Sequence, residues 1–134
     1  MRMLRIFSLS LSACLFAVAA QAANPPAIYT AGQAAAGAAA YVQNCAMCHS
    51  ANLAGGGGPA LVGPGFASAG TTIGSIFTVL AKQMPATNPG GLTHTQYEDL
   101  MAYILQKNGY PAGAMPISYD KALTDSTPLV FQAK

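Results

Sequence analysis

From Tyr97 the apolar positions fall at Tyr97, Leu100, Met101, Ile104 and Leu105, an i, i+3, i+4, i+7, i+8 stripe that predicts an amphipathic helix. Thr93 or Thr95 can cap its start, with Glu98 three residues after Thr95 as in a capping box. Asn108-Gly109, followed by Pro111, ends it. Ile73, Ile76, Phe77 and Leu80 repeat the helical spacing and predict a second helix over 73–83. The stretch 31–44 is alanine-rich, and alanine has the highest helix propensity, so a third helix is expected there. Gly37, Tyr41 and Cys45 lie four apart on one face of it. A mid-helix glycine costs about 1 kcal/mol relative to alanine. Either it is simply tolerated, or another backbone approaches closely at that point. Residues 110–134 hold three prolines and little periodicity, and read as an ordered but irregular C-terminal arm or a frayed tail. The pattern predicts an all-α fold of three to four helices.

The amino terminus adds a targeting segment. Arg2 and Arg5 precede an apolar run from Ile6 to Ala20, and Ala20-Gln21-Ala22 has the small-x-small form of a signal-peptidase site. Residues 1–22 therefore read as a secretory signal, leaving a domain at 23–109 and the extension at 110–134. The run is shorter than the ~20 residues a spanning helix needs and is interrupted by Ser8, Ser10 and Ser12, so no membrane span is expected. A competing reading is lipid attachment at Cys14, because Leu11-Ser12-Ala13-Cys14 looks like a lipoprotein box. Only eight apolar residues precede Cys14, and short apolar regions function poorly as signals, which favours simple cleavage and a periplasmic product.

Charge then narrows the partners. Without residues 1–22 the chain has 112 residues, one domain's worth, with Lys82, Lys107, Lys121 and Lys134 balanced by Glu98, Asp99, Asp120 and Asp125. The net +2 of the full sequence resides in the leader. With neither a basic patch nor a charge run, nucleic acid and anionic membrane surfaces receive no support as partners. So few charges steer a partner weakly, and docking falls to an apolar patch.

The chemistry is concentrated in Cys45-Ala46-Met47-Cys48-His49, the attachment motif of c-type haem. On a helical turn, positions i, i+3 and i+4 share a face, so two sulfurs and an imidazole address one flat ligand together. The thiols become thioethers and the imidazole takes the iron. The same residues admit a Cys45–Cys48 disulfide or half of a zinc site, but a structural zinc wants four protein ligands and only His94 remains downstream. One such motif implies one covalent haem. His94, without a motif, is expected exposed at a helix start.

After His49, the run Gly55-Gly56-Gly57-Gly58-Pro59 and Gly63-Pro64-Gly65 let backbone lie directly against a ligand. No lysine and hydroxyl of a phosphate loop follow, so the stretch reads as a wrap along the proximal edge or a plain surface loop. A carbonyl of the wrap is expected to accept the second ring N–H of His49. Met84 is the candidate distal iron ligand. It follows the second helix, stands thirty-five residues beyond His49 and precedes the stiffening Pro85. A thioether opposite histidine favours reduced iron. Met115, also followed by a proline, is the alternative; Met101 reads as core, and Met47 lies inside the attachment loop.

Taken together these residues resemble class I cytochrome c, over roughly residues 31–109. The resemblance rests on the Cys45–His49 motif, on Met84-Pro85, and on Glu98-Asp99-Leu100-Met101-Ala102-Tyr103, which is similar to the family's terminal-helix pattern. It implies that Gly37 and Tyr41 pack on Leu100 and Tyr103, which makes Tyr41 part of the haem surround. It also implies that Pro59 supplies the carbonyl for His49. A finer likeness, through Pro89-Gly90-Gly91-Leu92 and Asn108-Gly109-Tyr110-Pro111-Ala112-Gly113, is to small cytochromes that accept electrons from periplasmic quinoprotein-type dehydrogenases. The expectation is an all-α cytochrome c fold wrapped around one covalent haem, and an exported one-electron carrier rather than an enzyme. Its donor would be a periplasmic dehydrogenase, its acceptor an oxidase or another cytochrome, and its electron port the haem edge near the attachment loop and Lys82. Two other readings stay open: a fixed dehydrogenase subunit docked through residues 110–134, and an open-site haem sensor or peroxidatic protein.

Overall fold

The computed structural model describes residues 24–132, so the signal at 1–22 and Cys14 lie outside the described residues. Thr30 opens α1 (Ala31–Asn44): its hydroxyl accepts the Gln33 N–H at 3.2 Å, and the Gln33 side chain accepts the Thr30 N–H in return. The same Gln33 amide reaches across to the carboxyl-terminal arm, where it bonds both the N–H and the carbonyl of Ile117. α1 ends where the Cys45 N–H meets the Tyr41 carbonyl, and the one-turn α2 (Ala46–His49) follows at once.

Thr72 and Ser75 form the capping box of α3 (Ile73–Gln83). α4 (His94–Lys107) is capped by Thr93 with Gln96. The Thr95–Glu98 box allowed by the sequence does not form, because the helix starts at His94 and places Thr95 inside its first turn. Glu98 accepts the Tyr119 N–H at 2.7 Å instead. Apart from one isolated bridge between Thr72 and Pro128, the regular structure among the described residues is helical, and no helix there is long and apolar enough to cross a membrane.

The frame is the crossing of α1 on α4, and Gly37 sits at its closest point. A Cβ built on Gly37 would collide with the main-chain carbonyl of Asp99 and lie 2.9 Å from the Tyr103 Cβ. The close approach falls on the expected Tyr103 and on the Asp99 backbone, one residue before the fully buried Leu100. One turn further along α1, the Tyr41 and Tyr103 rings pack at 5.4 Å between centroids. Tilted aromatic pairs of this kind add to simple area burial.

Of the two readings of the arm, the ordered one holds. It carries α5 (Tyr119–Leu123) and buries Tyr110, Ile117, Tyr119, Ala122 and Leu129 in the same core as the helices. Its backbone satisfies the first donors of α3, with Ile73 N–H on the Thr127 carbonyl at 2.9 Å and Gly74 N–H on that of Asp125 at 2.8 Å. Asn108, fully buried at the end of α4, ties three segments together. Its amide donates to the Leu61 and Ile104 carbonyls and accepts from Gly63, while its own carbonyl takes the Gln132 N–H.

Candidate functional site

The Gly-rich loop folds back over α2. Gly58 donates to the Cys48 carbonyl at 2.8 Å and Gly55 to that of His49 at 3.1 Å, so the attachment turn is held by main-chain bonds. Gly58 faces the imidazole directly: a Cβ there would stand 2.7 Å from the ring Cε1 of His49. Only a residue without a side chain allows that approach. The next residue, Pro59, presents its carbonyl oxygen 2.7 Å from His49 Nδ1. A carbonyl can only accept, so Nδ1 carries the proton and Nε2 is left with the lone pair that binds a metal.

His49 opens onto a cleft of about 550 Å³, within the range of small-ligand and cofactor sites. Cys45, Cys48 and His49 line it from α2, Pro59 and Leu61 from the loop, Ile76, Val79 and Leu80 from α3, and Met84 from the turn after α3. Leu61, Phe66, Ile76, Val79, Leu80 and Ile104 give it largely apolar walls. The two thiols are free, and burial, with Cys48 adding to it, pushes the Cys45 thiol up to about 11. Among the described residues no group of three or more metal-ligating side chains converges, so the zinc alternative finds no fourth or even third partner. Two thiols, an imidazole with a defined free nitrogen and an apolar slot are a donor set that fits haem c.

Residues 32–104, more than half of the chain, match the family described as cytochrome C oxidase, cbb3-type, subunit III. The chain belongs to that family. A cytochrome c domain implies haem c and haem-based electron transfer. The structure is also similar to a chain in the crystal structure of the sulfane dehydrogenase SoxCD from Paracoccus pantotrophus, with a TM-score of 0.53 and 22% identity. The match covers 67% of this chain and 50% of that one, so the common part is half the length of its counterpart, and the likeness is one of fold. No curated protein matches the sequence significantly.

The methionines separate by position. Met84 lines the cleft, Met101 is fully buried in the core, Met47 is 97% exposed at the rim, and Met115 is 66% exposed and outside the cleft. Tyr41, grouped by the sequence reading with the cofactor-binding residues, does not line the cleft. It is fully buried at the helix crossing, and its hydroxyl donates to the Ser50 carbonyl at 2.7 Å, fixing the residue that follows His49. That bond holds the end of the turn that carries Cys45, Cys48 and His49. Lys82 is likewise absent from the cleft; its ammonium lies 3.4 Å from the Tyr119 hydroxyl. His94 is exposed, as expected, and stacks on the Tyr119 ring at 3.6 Å. In the sequence Tyr97 is one apolar position of the α4 stripe, and no local signal marks its hydroxyl, which donates to the Met84 carbonyl at 2.7 Å and accepts the Leu92 N–H at 3.3 Å.

Tyr41 also sets a pH dependence. Burial raises its phenol from 10.0 to about 12, with smaller contributions from Cys45 and Tyr103. A folded-state value above the unfolded one means that the native state holds the proton more tightly between those values. Its stabilising contribution is therefore complete below pH 10 and is lost as pH rises toward 12. Urea midpoints measured from pH 9 upward should fall across that window in wild type and fall less steeply in Tyr41→Phe.

Proposed function

We propose that the chain is an exported carrier of single electrons, built on one haem c held by Cys45 and Cys48, with His49 and Met84 as its axial ligands. The observation that carries this reading is the meeting of those four side chains in one apolar cleft, with Pro59 directing the proton of His49 to Nδ1. Bound haem c supplies an iron couple that gains and loses one electron. Cys45 and Cys48 anchor the group, His49 offers Nε2 in a fixed orientation, and the Met84 thioether favours the reduced state. Leu61, Phe66, Ile76 and Leu80 keep water from the slot. His49 and Met84 would hold the iron of that group, His49 oriented by Pro59 and Met84 anchored through its main-chain bond to Tyr97.

The donor is a dehydrogenase of the exported compartment and the acceptor an oxidase or another cytochrome. Family membership and the fold likeness to a dehydrogenase chain support this pairing. Residues 1–22 act as the export signal, which suits haem attachment outside the cytoplasm.

The test uses protein matured with haem. The expected result is a mass increased by one haem that survives denaturation, a one-electron reversible potentiometric transition, and a visible spectrum that does not respond to added carbon monoxide or cyanide on mixing. A spectrum that shifts at once with either ligand would overturn the carrier reading in favour of an open-site sensor or peroxidatic protein. Haem released by denaturation would overturn the covalent attachment.

A further inference from the structure

The turn from Met84 to Leu92 connects α3 to α4 and carries the proposed distal ligand at its first residue. Four of its residues are glycine or proline, and most of it, from Ala86 to Gly91, is exposed to solvent. Internal bonds from Asn88 to the Pro85 carbonyl and from Gly90 to that of Met84 shape the turn but do not tie it to the core. That tie comes from α4. Tyr97, fully buried, places one hydroxyl between both ends of the turn, donating to the Met84 carbonyl at 2.7 Å and accepting the Leu92 N–H at 3.3 Å. A phenol has one proton to give and lone pairs to receive, so a single oxygen serves both bonds without conflict.

The Tyr97 ring is itself held. It lies 6.4 Å from the Tyr119 ring, which packs edge-on against Phe77 of α3 at 5.3 Å and stacks on His94. The Tyr119 N–H is fixed by Glu98, the neighbour of Tyr97 on α4. The arm thus backs the ring whose hydroxyl grips the Met84 backbone.

We propose that Tyr97 is a positioning residue for the distal ligand: its hydroxyl clasps the Met84–Leu92 turn and so sets how readily Met84 gives up its place in the cleft to an external ligand. The proposal rests on Met84 as the axial ligand. Tyr97 acts on the thioether through that main-chain bond. Loss of the clasp releases a backbone whose remaining bonds are within the turn, so the ligand leaves more often while the fold is kept.

The experiment measures imidazole binding to ferric holoprotein by visible titration, alongside the weak near-infrared band of sulfur-to-iron ligation and the unfolding midpoint. The proteins are wild type, Tyr97→Phe, Tyr110→Phe and Met84→Ala. Tyr110 is the control because its hydroxyl makes the same pair of hydrogen bonds, donating to the Pro128 carbonyl and accepting from the Val130 N–H, but on the arm. Tyr97→Phe is expected to bind imidazole roughly three- to tenfold more tightly than wild type, the range that loss of a buried hydrogen bond commands. Tyr110→Phe should lower the unfolding midpoint and leave imidazole affinity unchanged. Equal affinities in Tyr97→Phe and wild type, or an equal shift in Tyr110→Phe, would overturn the clasp while the band, lost only in Met84→Ala, still upholds Met84. A wild type without the band, or a Met84→Ala protein that keeps it, would overturn Met84 ligation and the clasp with it.

Discussion

Met84→Ala is expected to abolish the near-infrared band of the oxidised protein, open the iron to cyanide and imidazole, and lower the reduction potential on the order of 0.1 V. The last figure is a fraction of the ~0.8 V over which axial ligands and surroundings move haem potentials. Its sign follows from the thioether, a soft neutral donor that favours reduced iron; an alanine leaves water or an exogenous base, which does not. The fold should persist, because the bonds that Met84 makes to Tyr97 and Gly90 are through its main chain, which alanine keeps. Met115→Ala should change none of these readings, since that side chain stands in solvent outside the cleft. Spectra of both variants, with potentiometric titration of each, check the expectation. A Met84→Ala protein with its band and potential intact would move the ligand elsewhere.

Gly37→Val is expected to destabilise the holoprotein by about 3 kcal/mol or more, enough to impair accumulation of haem-loaded protein. The new side chain would meet the carbonyl of Asp99, an atom in the backbone of α4 that cannot rotate aside. Relief requires the two helices to separate, and that opens the packing of Tyr41 on Tyr103. Gly37→Ala sets two effects against each other. Alanine gains about 1 kcal/mol in helix propensity, but the collision at Asp99 is made by the Cβ itself and outweighs it. Gly32→Ala is the matched contrast on the same helix: its Cβ would meet only the Thr30 hydroxyl oxygen at 3.9 Å, so the propensity term stands alone and stabilises by up to about 1 kcal/mol. Denaturant unfolding followed by helical circular dichroism gives the three values. Loss in Gly37→Ala together with gain in Gly32→Ala would attribute the effect to the crossing, and equal gains in both would refute it.

Helix existence and the attachment turn were legible because both are local. The stripe Ile73, Ile76, Phe77, Leu80 marks a buried face by its period alone, and the spacing of Cys45, Cys48 and His49 is a property of one helical turn. The capping of α4 was legible only as a choice between Thr93 and Thr95, since neighbouring hydroxyls offer nearly the same bonds and the backbone path decides between them. The arm was read as irregular because its apolar residues follow no period. Tyr110, Ile117, Tyr119 and Leu129 are buried by surfaces more than a helix away, and its hydrogen bonds reach α1, α3 and α4 as well as Asn108.

By itself, then, the sequence determined the all-α class, the three main helices and the one-turn spacing of Cys45, Cys48 and His49, and it left Gly37 as either tolerated or closely approached. Each follows from interactions within a few residues, or from a side chain that is missing. Tertiary structure decided what depends on distant segments meeting. It put Met84 rather than Met115 in the wall of the cleft, and it kept Tyr41 at the helix crossing and out of that wall. It also turned Lys82 toward Tyr119 and joined Tyr97 to the Met84 backbone. A hydroxyl or a thioether has the same chemistry wherever it lies in the chain, and only the packing of helices brought together by the folded core says which atom it faces.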